Sequence, residues 1–162
     1  MQEAAQNASP YLTAHITSHT NQSWNADTGA TSHMTPHQHW LWDYKPYCMP
    51  IRLANNQTVY LAGRGTVLFA PMIEGRSCES VLFTNVLHIP DLQNNVLAVL
   101  HLTTKHNFTV LVTSKSLLFK QNNKLVFTAT VQNGVGYLNG KTIQSGKAAC
   151  TMTDQAEIHL LH

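Results

Sequence analysis

The chain has 162 residues, enough for one ordinary domain with a core of its own and flanking segments. Hydrophobic residues make up 43% and charged residues only 11%, well below the usual quarter, so each carboxylate needs a reason to be present. A net charge of +2 without any run of Lys or Arg argues against direct nucleic-acid binding, and no apolar stretch is long enough for a membrane-spanning helix.

In chain order, residues 1–10 are polar and read as a flexible N-terminal segment. A domain is expected over 11–140, with its core at 24–105 and further strands at 106–140; residues 141–162 read as a linker and the start of a further segment. Tyr11 to Thr17 is a short β-prone run, and Trp24 leads into Asp27-Thr28-Gly29-Ala30. Pro36, Pro46 and Pro50 mark breaks. Ile51 to Ala70 reads as a hairpin whose turn is Ala54-Asn55-Asn56-Gln57, with Gly63 and Gly65 allowing a bend. Ser80 to Ile89 is a further apolar strand. Val96 to Leu102 has helical spacing, and Asn94 or Asn95 is available as its cap. Three or four short strands follow between Thr109 and Leu138, with Gln121-Asn122-Asn123 as a hairpin turn. The expected class is mainly β with one short helix.

The chemistry sits at Asp27. Of the four Asp residues, Asp43 and Asp91 lie in aromatic or Pro-containing loops and Asp154 lies in the polar tail; Asp27 alone has small apolar neighbours, Ala26, Gly29 and Ala30. Hydrolysis of a peptide bond by carboxylates needs one ionised acid to take a proton from water and one neutral acid to polarise the carbonyl. Two acids about 3 Å apart share a single proton, an effect for which aspartic proteases are the standard illustration. Asp-Thr-Gly is the tripeptide those enzymes use, and it occurs here once. A working pair therefore requires two chains.

The wider pattern is more specific. Trp24-Asn25-Ala26-Asp27-Thr28-Gly29-Ala30-Thr31-Ser32-His33-Met34-Thr35 resembles the protease signature of copia-type long-terminal-repeat retrotransposons. Ile51-Arg52-Leu53-Ala54-Asn55-Asn56 is similar to the flap region of that family, and Ala62-Gly63-Arg64-Gly65 to its following small-residue stretch. Asn85 to Leu92 with Asn95-Val96-Leu97 is similar to its next block; Gln93-Asn94-Asn95 stands where retroviral relatives have a Gly.

The resemblance implies a retropepsin-like acid-protease β-barrel that dimerises with its active site on the two-fold axis. It implies an aspartic endopeptidase that cleaves its own Gag-Pol polyprotein without a cofactor, in the cytoplasm within a virus-like particle. Asp27 carries over as the catalytic acid/base, Thr28 as a bracing hydroxyl, Gly29 and Ala30 as backbone contacts to substrate. Leu53, Ala54, Asn55, Asn56 and Gln57 carry over as the flap. Ile158 to His162 resembles the segment that precedes a zinc-binding integrase module, so a fragment of a larger polyprotein is expected. The chain ends before the Cys pair of such a module.

Other readings remain open at this level. A catalytically silent, dimeric β-module that binds peptides or partner proteins would share the same fold. His33, His37 and His39 offer imidazoles, but no acidic or Cys ligand accompanies them, and loop or subunit-contact roles fit better than a metal site. Cys48, Cys78 and Cys150 form neither a disulfide framework nor a zinc pattern, which points to a reducing interior and to Cys78 as a plain thiol.

Overall fold

The computed structural model describes residues 22–145. The expected strand at 11–17 and the segment from 146 onward, with the expected start of a pre-integrase segment, lie outside them. The described chain is mainly β, with twelve strands and one short helix, α1 (Val99–Lys105). The strands are β1 (Trp24–Asp27), β2 (Met34–Thr35), β3 (Leu41–Arg52), β4 (Thr58–Ile73), β5 (Arg76–Ser77), β6 (Val81–His88), β7 (Asn95–Ala98), β8 (Phe108–Val112), β9 (Ser116–Gln121), β10 (Lys124–Gln132), β11 (Val135–Leu138) and β12 (Gly140–Ile143).

Along the sheet the order is β12-β4-β6-β2-β7-β1-β11-β10-β9-β8, with β3 and β5 paired to β4. Since β12 follows β11 directly in the chain yet pairs with β4, the sheet must curl back on itself. Asn139 seals this corner: its amide donates to the Thr128 carbonyl, and its own carbonyl accepts the Met72 amide, at 2.9 and 3.0 Å. This pairing covers the β4 edge in the manner of a barrel, while β3 and β8 each keep an outer edge among the described residues.

Period-two alternation fills the interior with rings. Phe83 lies 5.8 Å from Trp24, 5.7 Å from Phe69 and 5.8 Å from Phe127, and Phe119 stacks on Phe127 at 4.3 Å. Trp24, the first residue of the strand that ends at Asp27, is buried in this cluster, and its indole N–H donates to the Thr142 hydroxyl at 2.8 Å. The turns follow local chemistry. Asn122 and Asn123 both adopt positive φ between β9 and β10, and Asn133-Gly134 does the same between β10 and β11, the left-handed pair that a two-residue hairpin demands.

Three expectations change. Pro46 and Pro50 do not break the chain: β3 runs through both, paired among the described residues with β4 alone, Pro46 opposite Gly63 beside a register shift and Pro50 in register opposite Tyr60, as an edge strand allows. The expected helix at 96–102 begins later. Residues 95–98 are a strand, since Val96 and Leu97 are drawn into parallel pairing with β1, and α1 starts at Val99 behind Ala98. The linker expected from 141 is a strand as far as Ile143, and Ser145 is still buried, because β12 completes the barrel. The strands after 106 are likewise integral: β11 pairs antiparallel with β1, Asn25 opposite Tyr137 and Ala26 opposite Gly136.

Candidate active site

Asp27 ends β1. Its Oδ1 accepts the Gly29 amide at 2.7 Å, a tight local turn that stops the strand and aims the carboxylate. Asp27, Thr28 and Gly29 are exposed and Ala30 is half-buried, so the four residues expected to form the loop sit together at the surface. A Cβ placed on Gly29 would stand 3.3 Å from Asp27 Oδ1, so the missing side chain keeps that oxygen uncrowded.

Beneath the loop the strand order matters. β7 lies between β1 and β2, parallel to the first and antiparallel to the second, so the segment joining β1 to β2 must arch over β7. Asp27 is opposite Ala98 at the end of that parallel ladder. Thr35 closes the other side: its hydroxyl donates to Asn95 Oδ1 at 2.6 Å and accepts the His37 amide at 3.2 Å, while Asn95 Nδ2 donates to the Ser23 carbonyl at 2.9 Å. Asn95, expected as a helix cap, is instead a fully buried tie between the start of β1 and β2. Asn95 closes the polar run Gln93-Asn94-Asn95 ahead of an apolar stretch, and nothing in that pattern signals its burial.

His33 also departs from expectation. It is buried to 1% exposure rather than lying in a surface loop with His37 and His39. Those two rings contact each other at 5.6 Å, and His37 lies 4.3 Å from Trp40. The His33 ring instead packs 5.6 Å from Phe83 and 4.9 Å from His101. Its Nδ1 accepts the Ala98 amide at 2.9 Å, and its backbone carbonyl accepts the Leu87 amide at 2.9 Å. Burial, with His101 and His106 adding like-charge repulsion, pushes its pKa from 6.5 down to about 3, so the imidazole is neutral. Among the described residues, no group of three or more His, Cys, Asp or Glu is arranged to hold a metal ion.

The expected flap is the turn between β3 and β4. The Leu53 amide donates to the Gln57 carbonyl at 2.8 Å, and the Gln57 amide to Asn55 Oδ1 at 2.9 Å; Asn56 takes a positive φ of 67°. Ala54, Asn55, Asn56 and Gln57 are exposed at the tip. Ile51, Leu53, Val59 and Leu61 form the inner face of the hairpin and pack in one cluster with Met34, Leu87 and Ile89. The hairpin is thereby anchored on β2 and β6, the strands that flank the far end of the Asp27 loop.

Lower on the hairpin, the Tyr44 ring crosses Gly63 and its hydroxyl is hydrogen-bonded to His88 Nδ1 at 2.8 Å. A cavity of about 460 Å³ lined by Cys78, Glu79, Gln121 and Lys124 lies elsewhere on the barrel and includes neither Asp27 nor a histidine.

With this geometry in hand, comparison with known proteins adds one match. The family model described as the beta-barrel domain of Pol polyproteins matches residues 24–108. Neither the curated proteins nor the solved structures contain a match.

Proposed function

Because this chain belongs to the Pol polyprotein beta-barrel domain family, we propose that it is the aspartic endopeptidase of a copia-type retroelement, acting on its own Gag-Pol polyprotein. The observation that carries the reading is the Asp27-Thr28-Gly29 turn. An exposed carboxylate stands at the end of a strand, with one oxygen held by a backbone amide and the other free to face a partner.

In the proposed reaction two protomers meet so that one Asp27 from each shares a proton. The ionised member takes a proton from water as the oxygen attacks the scissile carbonyl, and the protonated member donates to the carbonyl oxygen. The tetrahedral intermediate collapses when the amine leaves with a proton from the pair. Thr28 braces the paired loops, and the Leu53–Gln57 turns close over an extended peptide. No cofactor enters, and the expected setting is a virus-like particle in the cytoplasm.

A homodimer is part of the same proposal. Leu100, 53% exposed in the first turn of α1 and two positions beyond the residue paired with Asp27, is the side chain through which the proposal has a second copy dock.

The deciding test measures solution mass and incubates the purified chain with a longer Gag-Pol segment, sequencing any new termini. Dimer-dependent, pepstatin-sensitive cleavage is expected. A dimer that leaves the substrate intact would establish the silent β-module in its place.

A further inference from the structure

We propose that His33 is a positioning residue for Asp27, its Nδ1 pinning Ala98 so that both ends of the Asp27 loop close on that one residue. The inference rests on the reading above for what the loop does, and on the geometry alone for how the loop is held.

At its start the loop is fixed by register, Asp27 opposite Ala98 in the parallel ladder. At its end His33 bonds the Ala98 amide through Nδ1, while its own carbonyl accepts the Leu87 amide of β6. Thr28 to Ser32 is therefore an arch with both feet on β7, and β6 holds the second foot from behind. Without an acceptor the buried Ala98 amide would be an orphan donor, and the end of β7 that faces Asp27 would lose the bond that fixes it to the far side of the arch.

Packing alone does not account for a histidine at this place. With Nδ1 accepting, the ring proton sits on Nε2, and that nitrogen is buried with no hydrogen-bond partner among the described residues. An unpaired buried N–H is destabilising, and Phe or Leu would fill the same space between Phe83 and His101 without it. What those residues lack is an acceptor one bond from the ring root, at the height of the Ala98 amide. Asn carries an oxygen at the equivalent position.

The test compares the full chain with His33→Phe and His33→Asn. Hydrogen exchange at the Ala98 amide is followed by nuclear magnetic resonance, with the amides of Phe119 and Phe127 as internal references, and peptide cleavage is measured on the same samples. In His33→Phe, Ala98 exchange should quicken by about tenfold or more while the references hold. Its kcat should fall by about tenfold to a hundredfold with KM nearly unchanged, since a small misplacement of a reacting group has that effect. His33→Asn should restore both.

Unchanged Ala98 exchange in His33→Phe, or equal losses in both variants, would overturn the proposal. If His33→Phe does not fold, the nitrogen shifts of His33 in the unaltered chain decide the matter: an unprotonated Nδ1 at neutral pH is required, and a protonated one is fatal. A chain that cleaves no peptide at all would reject the protease reading, while Ala98 exchange and the His33 tautomer would still judge this one.

Discussion

Asp27 and Ala98 stand opposite each other at the carboxyl ends of two parallel strands, β1 and β7, that are far apart in the sequence. The carboxylate is thus set by a tertiary pairing, while its own turn only aims it. Since Asp27 is exposed, Asp27→Asn should leave the unfolding midpoint within experimental error, and the amide oxygen can still accept the Gly29 N–H. Cleavage of a peptide substrate should fall by about a thousandfold or more, because a group acting only in the transition state is lost. Full cleavage by the variant would remove Asp27 from the mechanism.

Acid should destabilise the fold through its buried histidines. The folded-state pKa of His33 is lowered from 6.5 to about 3, so its contribution is complete above pH 6.5 and is lost as the pH falls toward 3. Burial lowers His101 and His88 in the same direction. Urea titrations between pH 7 and pH 4 should show a loss of about 3 kcal/mol traceable to His33, and a shallower slope in His33→Asn. A flat profile for the unaltered chain would contradict the burial of that ring.

Gly63 has no room for a methyl group. Its Cβ would fall 2.3 Å from Tyr44 Cζ and 2.8 Å from the Lys45 carbonyl, so Gly63→Ala must displace the Tyr44–His88 bond that staples β3 across β4 to β6. Destabilisation of about 1–3 kcal/mol is expected, as for other overpacked sites. Combined with Tyr44→Ala, the effect of the added methyl should shrink. Strict additivity of the two changes would show that the ring is not what the methyl meets.

Thr142 tests whether the chain beyond 140 belongs to the barrel. Its hydroxyl accepts the indole N–H of Trp24, a side chain only 1% exposed. Thr142→Val keeps the strand and the volume but strands that donor, which should lower stability by about 1–2 kcal/mol. A midpoint equal to that of the parent would return residues 141–143 to the status of a linker.

Leu100 bears on assembly. Leu100→Glu should leave the monomer folded, since the side chain is largely solvated, and should weaken self-association by at least about tenfold in sedimentation equilibrium. Undiminished association would place the contact between copies elsewhere on the surface.

Much of this protein could be read locally. Short apolar, β-prone runs marked β4, β6, β9 and β10, and Asn-rich turns marked the β3–β4 and β9–β10 connections. The lone Asp with small neighbours stood out because carboxylates are scarce. Each of these signals lies within a few residues of the feature it reports. Val96 and Leu97 depart from the helical expectation because a short apolar run fits helix and buried strand equally, and what settles it is β1 alongside. His33 and Asn95 depart from expectation for a related reason: the surroundings of a polar side chain are set only when strands distant in sequence pack over it.

By itself, then, the amino-acid order determined most of the strands, the Asn-rich turns and the identity of the exposed carboxylate, since those depend on local apolar runs and backbone preference. Only the tertiary structure decided that β7 would slot between β1 and β2, that the Asp27 arch would close on Ala98 through His33, and that β12 would complete the barrel. Those outcomes rest on long-range pairing and on burial of polar atoms, whose energies exist only once the chain has brought its distant parts together.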